Sequence, residues 1–327
     1  MHIWYDACTG KHVRYGVAIA KKLREKGHKV VLTTRKHPDT IPLAKFLNEN
    51  FVVVGKYNPK SLLSRLREGT KRQLLFCKIF GATVPDVAIS HGSVDQIRVA
   101  FGLKIPTITT VDTPYADAVH RLTLPLADYI VVSMAIPKEM LRKYNVGGKI
   151  IRFDGVDEVA WIRGFKPLKK YNFGKPLIVV REVEEKAVYT KRKFSFVRLA
   201  KKLTQLGKVV FLPRYHRRAI KGLIVPKEFV DSASLVAQAD LFVGAGGTIT
   251  REAALQGTPA IVMNVFQGQY VNDYLAKKGF PIFMVEPSSV VDSATKLLGE
   301  KRDVADLLAK LENPVDVILK ILESLGS

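Results

Sequence analysis

A glycine-rich turn between an apolar strand and a helix is the segment of this sequence best suited to hold phosphate groups. A largely apolar run, residues 239–245, leads into Gly246 and Gly247, and Thr248 follows. Glycine lets the backbone approach a ligand closely. The free N–H groups and the positive dipole end of the following helix attract a diphosphate. We expect Thr248 either to cap this helix or to place its hydroxyl on a phosphate oxygen.

An acidic residue lies one turn inside the same predicted helix. Glu252 is placed to turn its carboxylate toward the diol of a ribose, and the helix closes at residues 257–259, Gly-Thr-Pro. A tight strand-to-helix turn with an ordinary cap would also need two glycines and a threonine. The spacing of Glu252 and the Gly-Thr-Pro ending favour a nucleotide site over that alternative.

Two arginines follow neighbouring strands of the C-terminal half. Arg181 comes directly after the apolar run 177–180, and Arg214 follows the run 209–212. Arginine binds a diphosphate through parallel hydrogen bonds, so both are candidates to neutralise phosphate charge. Ordinary surface charges are the alternative. No Asp-x-Asp pair stands at a strand end, and we therefore expect no catalytic metal.

The N-terminal half carries histidines and aspartates at positions that suit proton transfer. Asp6 ends the first strand, His12 opens the first helix, and His91, Asp95 and Asp112 follow later strands. In an open α/β sheet the carboxyl ends of the strands face the ligand. Asp6 or His12 is expected to act as general base on an acceptor hydroxyl. His91 and Asp112 are further catalytic candidates, and Asp95 is a candidate to contact the ligand. The alternatives are a carboxylate that orders a loop, for Asp6, and a helix-start residue, for His12.

Strands and helices alternate along the whole chain, which predicts an α/β fold with parallel sheets. Six strands are predicted in the first half, at His2–Asp6, Val30–Thr33, Phe51–Val54, Val87–Ser90, Thr107–Val111 and Tyr129–Val132. Four are predicted in the second half, at Leu177–Val180, Val209–Leu212, Leu241–Val243 and Ala260–Met263. Residues 304–325 form an amphipathic helical tail that Pro314 divides.

The domain organisation follows from a change of composition in the middle of the chain. Residues 154–175 are rich in glycine and lysine and are expected to link an N-terminal domain, 1–153, to a C-terminal domain, 176–327. The last helix has the option of crossing back to the N-terminal domain.

Composition limits the class of protein and its partners. With 47% hydrophobic and 25% charged residues the chain can bury a core. It has no apolar run of the ~20 residues needed to cross a bilayer, and its N-terminus reads as a strand, so we expect a cytoplasmic protein. Cys8 and Cys77 are too few for a disulfide scaffold. The net charge of +22 favours an anionic partner, but no aromatic-interleaved motif predicts specific nucleic-acid binding.

A basic stretch in the N-terminal half has two interpretations. Residues 56–80 contain seven basic residues and one acidic residue, interleaved with leucines. Basic amphipathic helices lie on anionic membranes, which predicts a protein bound peripherally to the inner face of a membrane. The alternative is a normal helix whose leucines are buried and whose lysines are solvated.

From Phe229 to Pro259 the sequence resembles the C-terminal donor half of GT-B glycosyltransferases and of the related UDP-N-acetylglucosamine 2-epimerases. The resemblance implies that Val230 lies in the loop that holds the uracil base, and that Glu252 binds ribose. It also implies that the pattern Gln269-x-x-Asn272 reaches sugar hydroxyls. Within that group, this segment is similar in particular to the transferase that adds N-acetylglucosamine to the lipid precursor of peptidoglycan.

The whole chain most resembles a largely archaeal family catalogued as a domain of unknown function. The shared features are the opening strand, the aspartate and histidine of the first loop, the segment Ser90–Ser93 and the Gly-Gly-Thr turn. The first loop, Thr9-Gly10-Lys11-His12, has one glycine where the glycosyltransferases usually have two.

These resemblances imply two Rossmann-like domains of the GT-B type with a ligand cleft between them. The leading hypothesis is a metal-independent inverting glycosyltransferase that uses a nucleotide-sugar, expected to be UDP-linked, as substrate, with no further cofactor. The acceptor of the sugar is not identified by the sequence, and a lipid-linked acceptor is one of the alternatives. A nucleotide-sugar 2-epimerase, for which His216 is a candidate acid/base group, is the second hypothesis. A non-enzymatic polyanion or nucleic-acid binder is the third.

Overall fold

Two parallel sheets, of seven and five strands, form the frame of the protein. The computed structural model describes residues 1–182, 194–214, 218–265 and 268–326. Unit 1 contains Met1–Trp161 and Glu312–Ser327, and unit 2 contains Ile162–Leu311. The predicted α/β class is confirmed.

The central strands of the unit 1 sheet are buried, as is usual for parallel sheets covered by helices, whereas its outer strands are partly exposed. The sheet has the order β3-β2-β1-β4-β5-β6-β7. Its strands are β1 (His2–Ala7), β2 (Lys29–Lys36), β3 (Val52–Lys56), β4 (Val87–Ser90), β5 (Thr107–Val111), β6 (Tyr129–Ser133) and β7 (Lys149–Phe153). Its helices are α1 (Gly10–Glu25), α2 (Thr40–Phe46), α3 (Leu62–Phe80), α4 (Val94–Gly102), α5 (Asp117–Thr123), α6 (Glu139–Arg142), α7 (Val159–Ile162), at whose end unit 1 gives way to unit 2, and the C-terminal α14 (Pro314–Gly326).

The α3 helix packs on this sheet through aromatic residues. Phe76 and Phe80 lie with their ring centroids 4.7 and 4.3 Å from that of Trp4 on β1. All three side chains are buried, and such aromatic contacts add to the free energy of burying their apolar surface. The position of α3 relative to β1 is therefore fixed.

The sheet of unit 2 has the order β12-β11-β10-β8-β9. Its strands are β8 (Leu177–Arg181), β9 (Lys208–Leu212), β10 (Leu241–Gly244), β11 (Ala260–Met263) and β12 (Ile282–Val285). Its helices are α8 (Phe196–Leu203), α9 (Ser232–Gln238), α10 (Thr248–Ala254), α11 (Tyr270–Lys277), α12 (Val290–Leu297) and α13 (Ala305–Lys310). Apolar side chains of β8 to β11 pack against α8 and α12 to form its core.

Each parallel sheet has one point from which successive strands are added first to one side and then to the other. In unit 1 this point lies between β1 and β4, and in unit 2 it lies between β8 and β10. The loops at the carboxyl ends of such strands diverge and leave a crevice, where ligands of open α/β sheets bind. Asp6, His12 and His91 lie at or after the ends of β1 and β4, and Arg181 and the Gly246–Thr248 turn lie at or after the ends of β8 and β10.

Every strand predicted from the sequence overlaps an observed one, but β7 and β12 were missed. Both are edge strands, and β12 begins one residue after Pro281, which hid its short apolar run. Pro314 starts α14 as its first residue, as expected of proline at a helix start. Among the described residues, no helix is both long enough and apolar enough to cross a membrane.

Residues 154–161, which their composition assigned to a linker, belong to unit 1. Asp157 and Glu158 are buried there. The start of the linker predicted from glycine and lysine content is therefore too early. The sequence alone does not show that Asp157 and Glu158 are buried, so this charged segment resembled a solvated linker.

Candidate functional site

The turn between β10 and α10 requires glycine at two consecutive positions. Gly246 and Gly247 have φ angles of +102° and +93°, in the region that other residues rarely adopt. A Cβ on Gly246 would lie 2.4 Å from Oε1 of Gln269 and 3.0 Å from Nδ2 of Asn272. Gly247 is the residue before α10, and the helix has no side-chain cap. Thr248 is therefore the first helical residue and does not cap the helix.

Gln269 and Asn272 meet beside this turn. The Asn272 side-chain amide donates to Oε1 of Gln269 at 2.7 Å. Within the described residues, Nε2 of Gln269 and Oδ1 of Asn272 are buried and have no hydrogen-bond partner. A buried polar atom without a partner costs roughly 1–3 kcal/mol. One unused donor and one unused acceptor thus lie next to a glycine backbone, which is an arrangement suited to a polar ligand.

The predicted ribose-binding residue is held by a serine that the sequence analysis did not single out. Glu252 on α10 is buried, and Ser232 Oγ donates to its Oε2 at 2.6 Å. Ser232 opens α9, whose preceding residue Asp231 accepts a hydrogen bond from the Ser234 backbone N–H. Val230 is half-buried just before it. The Ser232–Glu252 hydrogen bond therefore ties the predicted base-binding loop to the predicted phosphate turn.

The two predicted phosphate-binding arginines lie at the carboxyl ends of adjacent strands. Arg181 donates from Nη1 to the carbonyl oxygens of Leu212 and Pro213, at 3.4 and 3.2 Å. Arg214 is exposed, and its backbone N–H donates to Oε2 of Glu182. Arg181 thus fixes the end of β9 to the end of β8. His216 lies outside the described residues.

In unit 1, a lysine stands at the centre of three carboxylates. Lys11, in the first turn of α1, places its Nζ 2.5 Å from Asp112, 2.8 Å from Asp157 and 3.9 Å from Glu158. The three acids come from the segments after β5 and β7, so the cluster forms only when the sheet assembles. Asp157 and Glu158 are buried, whereas the side chain of Asp112 is 24% exposed.

His91 joins this cluster from the end of β4. Its Nε2 lies 3.2 Å from Oδ1 of Asp112, and its Nδ1 lies 2.6 Å from the hydroxyl of Thr110. Two predicted residues, His91 and Asp112, are therefore in direct contact. Asp112 is bonded to His91 through one oxygen and to Lys11 through the other. The pair is the most accessible acid/base group of the cluster.

His12 stacks edge-on against His91, with ring centroids 4.7 Å apart. The backbone N–H of Cys8 donates to its Nδ1 at 3.3 Å. Burial, followed by the proximity of His91 and Lys11, holds the pKa of His12 well below its usual value. The ring is therefore neutral with its proton on Nε2, and it can donate to a ligand oxygen. This tautomer makes His12 a donor, so a base is better sought in Asp112 and His91.

Asp6 lies beneath the cluster and is fully buried. Arg72 of α3 binds both of its oxygens, at 2.5 and 3.0 Å, and Ser93 and Thr33 donate to them at 2.6 and 2.7 Å. Burial alone would lower the pKa of Arg72, but Asp6 and its other neighbours raise it above its usual value. Asp6 is 0% exposed and both of its oxygens are engaged, so its carboxylate orders the end of β1. This is the alternative role given for it above.

Cys8 and Asp95 surround the same arginine. Asp95 Oδ2 accepts from Arg72 at 3.2 Å, while Cys8 Sγ lies 3.8 Å from the guanidinium. Burial, and then the charge of Asp6, raises the pKa of the Cys8 thiol. Cys8 is thus a protonated thiol at neutral pH.

His91, Asp112 and Asp157 each offer one ligand atom, and these atoms lie within 4.8 Å of one another. This geometry could hold a metal ion. Lys11, however, already contacts both carboxylates, so a metal would have to displace the ammonium. The positive charge that the acids require comes from the chain itself.

Sequence reasoning missed Lys11, Asp157, Glu158, Arg72 and Ser232. Lys11 stood next to the selected His12, so its position in the first loop was a usable signal. The others were hidden because a buried charge has no mark of its own in a sequence: Arg72 was counted with a basic helix face, and Asp157 with a linker.

Residues 1–325 match the family described as a protein of unknown function, DUF354, and the chain belongs to this family. The uncharacterized protein MJ0665 of Methanocaldococcus jannaschii is 30% identical over 337 residues, 98% of this chain and 97% of the relative. The predicted resemblance to an archaeal family of unknown function is confirmed.

Solved structures show the same fold. The UDP-GlcNAc 2-epimerase of Methanocaldococcus jannaschii, in complex with UDP-GlcNAc and UDP, has a TM-score of 0.70 at 15% identity, covering 99% of this chain and 100% of that one. The glycosyltransferase SnogD of Streptomyces nogalater has a TM-score of 0.59 at 15% identity, covering 99% of both chains. The GT-B type fold, with two Rossmann-like domains, is confirmed.

Proposed function

We propose that this protein is a metal-independent, inverting glycosyltransferase that takes a sugar from a nucleotide-sugar, with UDP as the nucleotide. The observation that carries the proposal is the group formed by Gly246, Gln269 and Asn272. There, Gly246, at positive φ, lies against an amide pair that has one buried donor and one buried acceptor without a partner among the described residues. A nucleotide-sugar would supply the hydroxyls that these amides lack.

The other donor contacts follow from the geometry around this turn. The diphosphate would bind the backbone N–H groups of residues 246–248, and the ribose would bind Glu252. The Cβ of Arg181 lies beside the end of β10, since a Cβ on Gly244 would lie 3.9 Å from it. Its charge would stabilise the departing diphosphate, which is the main electrostatic demand of this reaction.

The acceptor would be activated by the Asp112–His91 pair. Asp112 is the partly exposed carboxylate of the cluster, and His91 and Lys11 hold its two oxygens. The pair would take the proton of an acceptor hydroxyl as that oxygen forms its bond to the anomeric carbon. The bond from that carbon to the diphosphate breaks on the opposite face, which inverts the configuration. His12 would donate from Nε2 to an oxygen of the bound substrate.

A lipid-linked acceptor at the inner, anionic surface of a membrane is part of the proposal. It is supported by the exposed leucines and basic residues of α3.

A 2-epimerase is the second candidate, because the unit 1 cluster offers more acid/base groups than one deprotonation needs. Lys11, His91, Asp112 and Asp157 lie within contact of one another. An epimerase requires both an acid and a base at the sugar carbon. Incubating UDP-GlcNAc without an acceptor separates the two activities, since only an epimerase converts the donor alone.

Calorimetric titration with UDP, UDP-GlcNAc, GDP and dTDP tests the donor site. We expect selective micromolar binding of one nucleotide, weakened about tenfold to a hundredfold by Glu252→Gln, because hydrogen bonds to a carboxylate contribute roughly 1.5–3 kcal/mol. Glu300→Gln, at an exposed position of unit 2, is the matched control. Absence of binding by all four would refute the proposal and favour a charge-driven polyanion binder.

A further inference from the structure

The outward side of α3 exposes leucines that a helix packed on a sheet would ordinarily bury. Leu62 and Leu66, one turn apart, are 82% and 68% exposed, and Leu63 and Leu74 are exposed as well. Residues at intervals of three or four share one face of a helix, and Leu63, Arg67, Lys71, Leu74 and Lys78 follow this spacing. This docking face is therefore both apolar and basic, and the interpretation that its leucines are buried is wrong.

The charge of the docking face is of one sign. Arg67, Lys71 and Lys78 are all exposed. The single acid of the helix, Glu68, lies on the flank, with its Oε1 3.7 Å from Nζ of Lys56 on β3. The face thus presents cations and leucines together.

The opposite side of α3 is anchored to the interior of unit 1. Phe76 and Phe80 pack on Trp4, and Arg72 binds Asp6 and Asp95. Arg72 Nε also donates to the carbonyl oxygen of Val54 on β3 at 2.9 Å. The helix is therefore a fixed platform, and its exposed leucines cannot be buried by a simple rotation of the helix.

We propose that the docking face of α3 binds the surface of an anionic lipid bilayer. The leucines enter the boundary between headgroups and acyl chains, and the basic residues lie at the level of the anionic headgroups. A second copy of this chain fits less well, because two such faces would bring like charges together. A nucleic acid would pair with the cations but leave the leucines in water. The inference deepens the membrane part of the proposed function, on which it rests, but it does not depend on whether the nucleotide site is occupied.

Sedimentation of the full chain with vesicles tests the proposal. We expect binding to vesicles of phosphatidylcholine with 30% phosphatidylglycerol, and little binding to phosphatidylcholine alone. Arg67→Gln with Lys71→Gln should weaken the partition coefficient about thirtyfold, since each basic residue near an anionic surface contributes a factor of about five. The matched control, Lys21→Gln with Lys26→Gln on exposed positions at the end of α1, has the same net charge and should bind nearly as well as the original protein.

The apolar part of the interaction has its own variants. Leu62→Ser with Leu66→Ser removes two exposed side chains and should lower the partition coefficient at least tenfold, because their apolar surface no longer leaves water. Leu122→Ser with Met134→Ser changes two exposed apolar residues elsewhere on unit 1 and should have little effect. If the Leu62/Leu66 and Leu122/Met134 variants lowered the partition coefficient equally, the assignment of membrane binding to the docking face of α3 would be overturned.

Cys77 reports the depth of insertion directly. It is exposed on α3, whereas Cys8 is partly buried and its thiol pKa is raised, so a maleimide dye labels Cys77 selectively. An environment-sensitive dye there should shift to the blue on anionic vesicles, and the same dye in a Cys77→Ser/Ala309→Cys variant should not. No shift at Cys77 would refute membrane docking. A concentration-dependent dimer that forms without lipid and that Leu66→Ser dissociates would also refute it, and would favour a second copy of the chain as the partner. Nucleotide titrations leave this outcome untouched.

Discussion

The buried pair of Arg72 and Asp6 permits a direct test of what Asp6 does. Arg72 is 1% exposed and Asp6 is 0% exposed, and two hydrogen bonds join them. Arg72→Met would leave the Asp6 carboxylate with two hydroxyl donors and the Cys8 thiol. It would also remove the donor to the Val54 carbonyl. Breaking a buried ion pair from one side costs about 3–5 kcal/mol, because the remaining charge stays buried without its partner.

The second arm of the test removes both charges. The double variant, Asp6→Asn with Arg72→Met, has neither the buried carboxylate nor the buried guanidinium at this position. Asp95 still loses its hydrogen bond from Arg72. The cost of the double variant should therefore be smaller than the sum of the two single substitutions by about 2–3 kcal/mol, as found for directly interacting residues. Urea unfolding of the four proteins, followed by tryptophan fluorescence of the buried Trp4 region, measures the free energies that this cycle needs.

The outcome decides between a structural and a catalytic Asp6. If Asp6 orders the end of β1, Asp6→Asn lowers the free energy of unfolding of unit 1, and nucleotide binding to unit 2 is unchanged. If Asp6→Asn leaves the unfolding curve unchanged and abolishes sugar transfer, the carboxylate is the general base and the reasoning from its hydrogen bonds is refuted. Additive free energies in the cycle would also refute it.

Three further predictions concern the two sites. Gly246→Ala should weaken nucleotide binding at least tenfold and cost about 1–3 kcal/mol of stability, whereas Gly299→Ala, at φ +85° with open space around its Cβ, should cost only the backbone strain. Ser232→Ala should cost about 1–2 kcal/mol in thermal unfolding and weaken UDP binding, because the buried Glu252 loses a donor; unchanged affinity would contradict the ribose assignment. His12, whose folded pKa lies below its unfolded value of about 6.5, binds a proton on unfolding in acid. Stability should therefore fall as the pH drops from about 6.5, by at most 1.4 kcal/mol per pH unit for this group, and His12→Gln should flatten that part of the curve.

The elements that apolar periodicity marks could be predicted from the sequence, whereas two of the four edge strands, β7 and β12, could not. Buried parallel strands such as β4 and β10 are continuous apolar runs, and the turns around them need glycine. The strand β7 reads Lys-Ile-Ile-Arg-Phe and is half solvated, so its pattern resembles that of a charged loop. A pattern based on burial is weakest where the sheet ends, because an edge strand has one open side.

The same physics limits what could be predicted of the site. Gly246 was identified because a turn at positive φ restricts residue type, whereas Gln269 and Asn272 were identified through the resemblance to a known pattern. Arg72 is a different case, since an arginine in a leucine-rich helix has the same local pattern whether it faces water or Asp6. The partner that makes burial of Arg72 tolerable lies 66 positions away, and only the packing of α3 on β1 brings the two together. Whether a charged residue such as Arg72 is buried depends on contacts between distant parts of the chain. The local sequence of α3 therefore revealed neither that Arg72 is buried against Asp6 nor that the leucines of the helix are exposed.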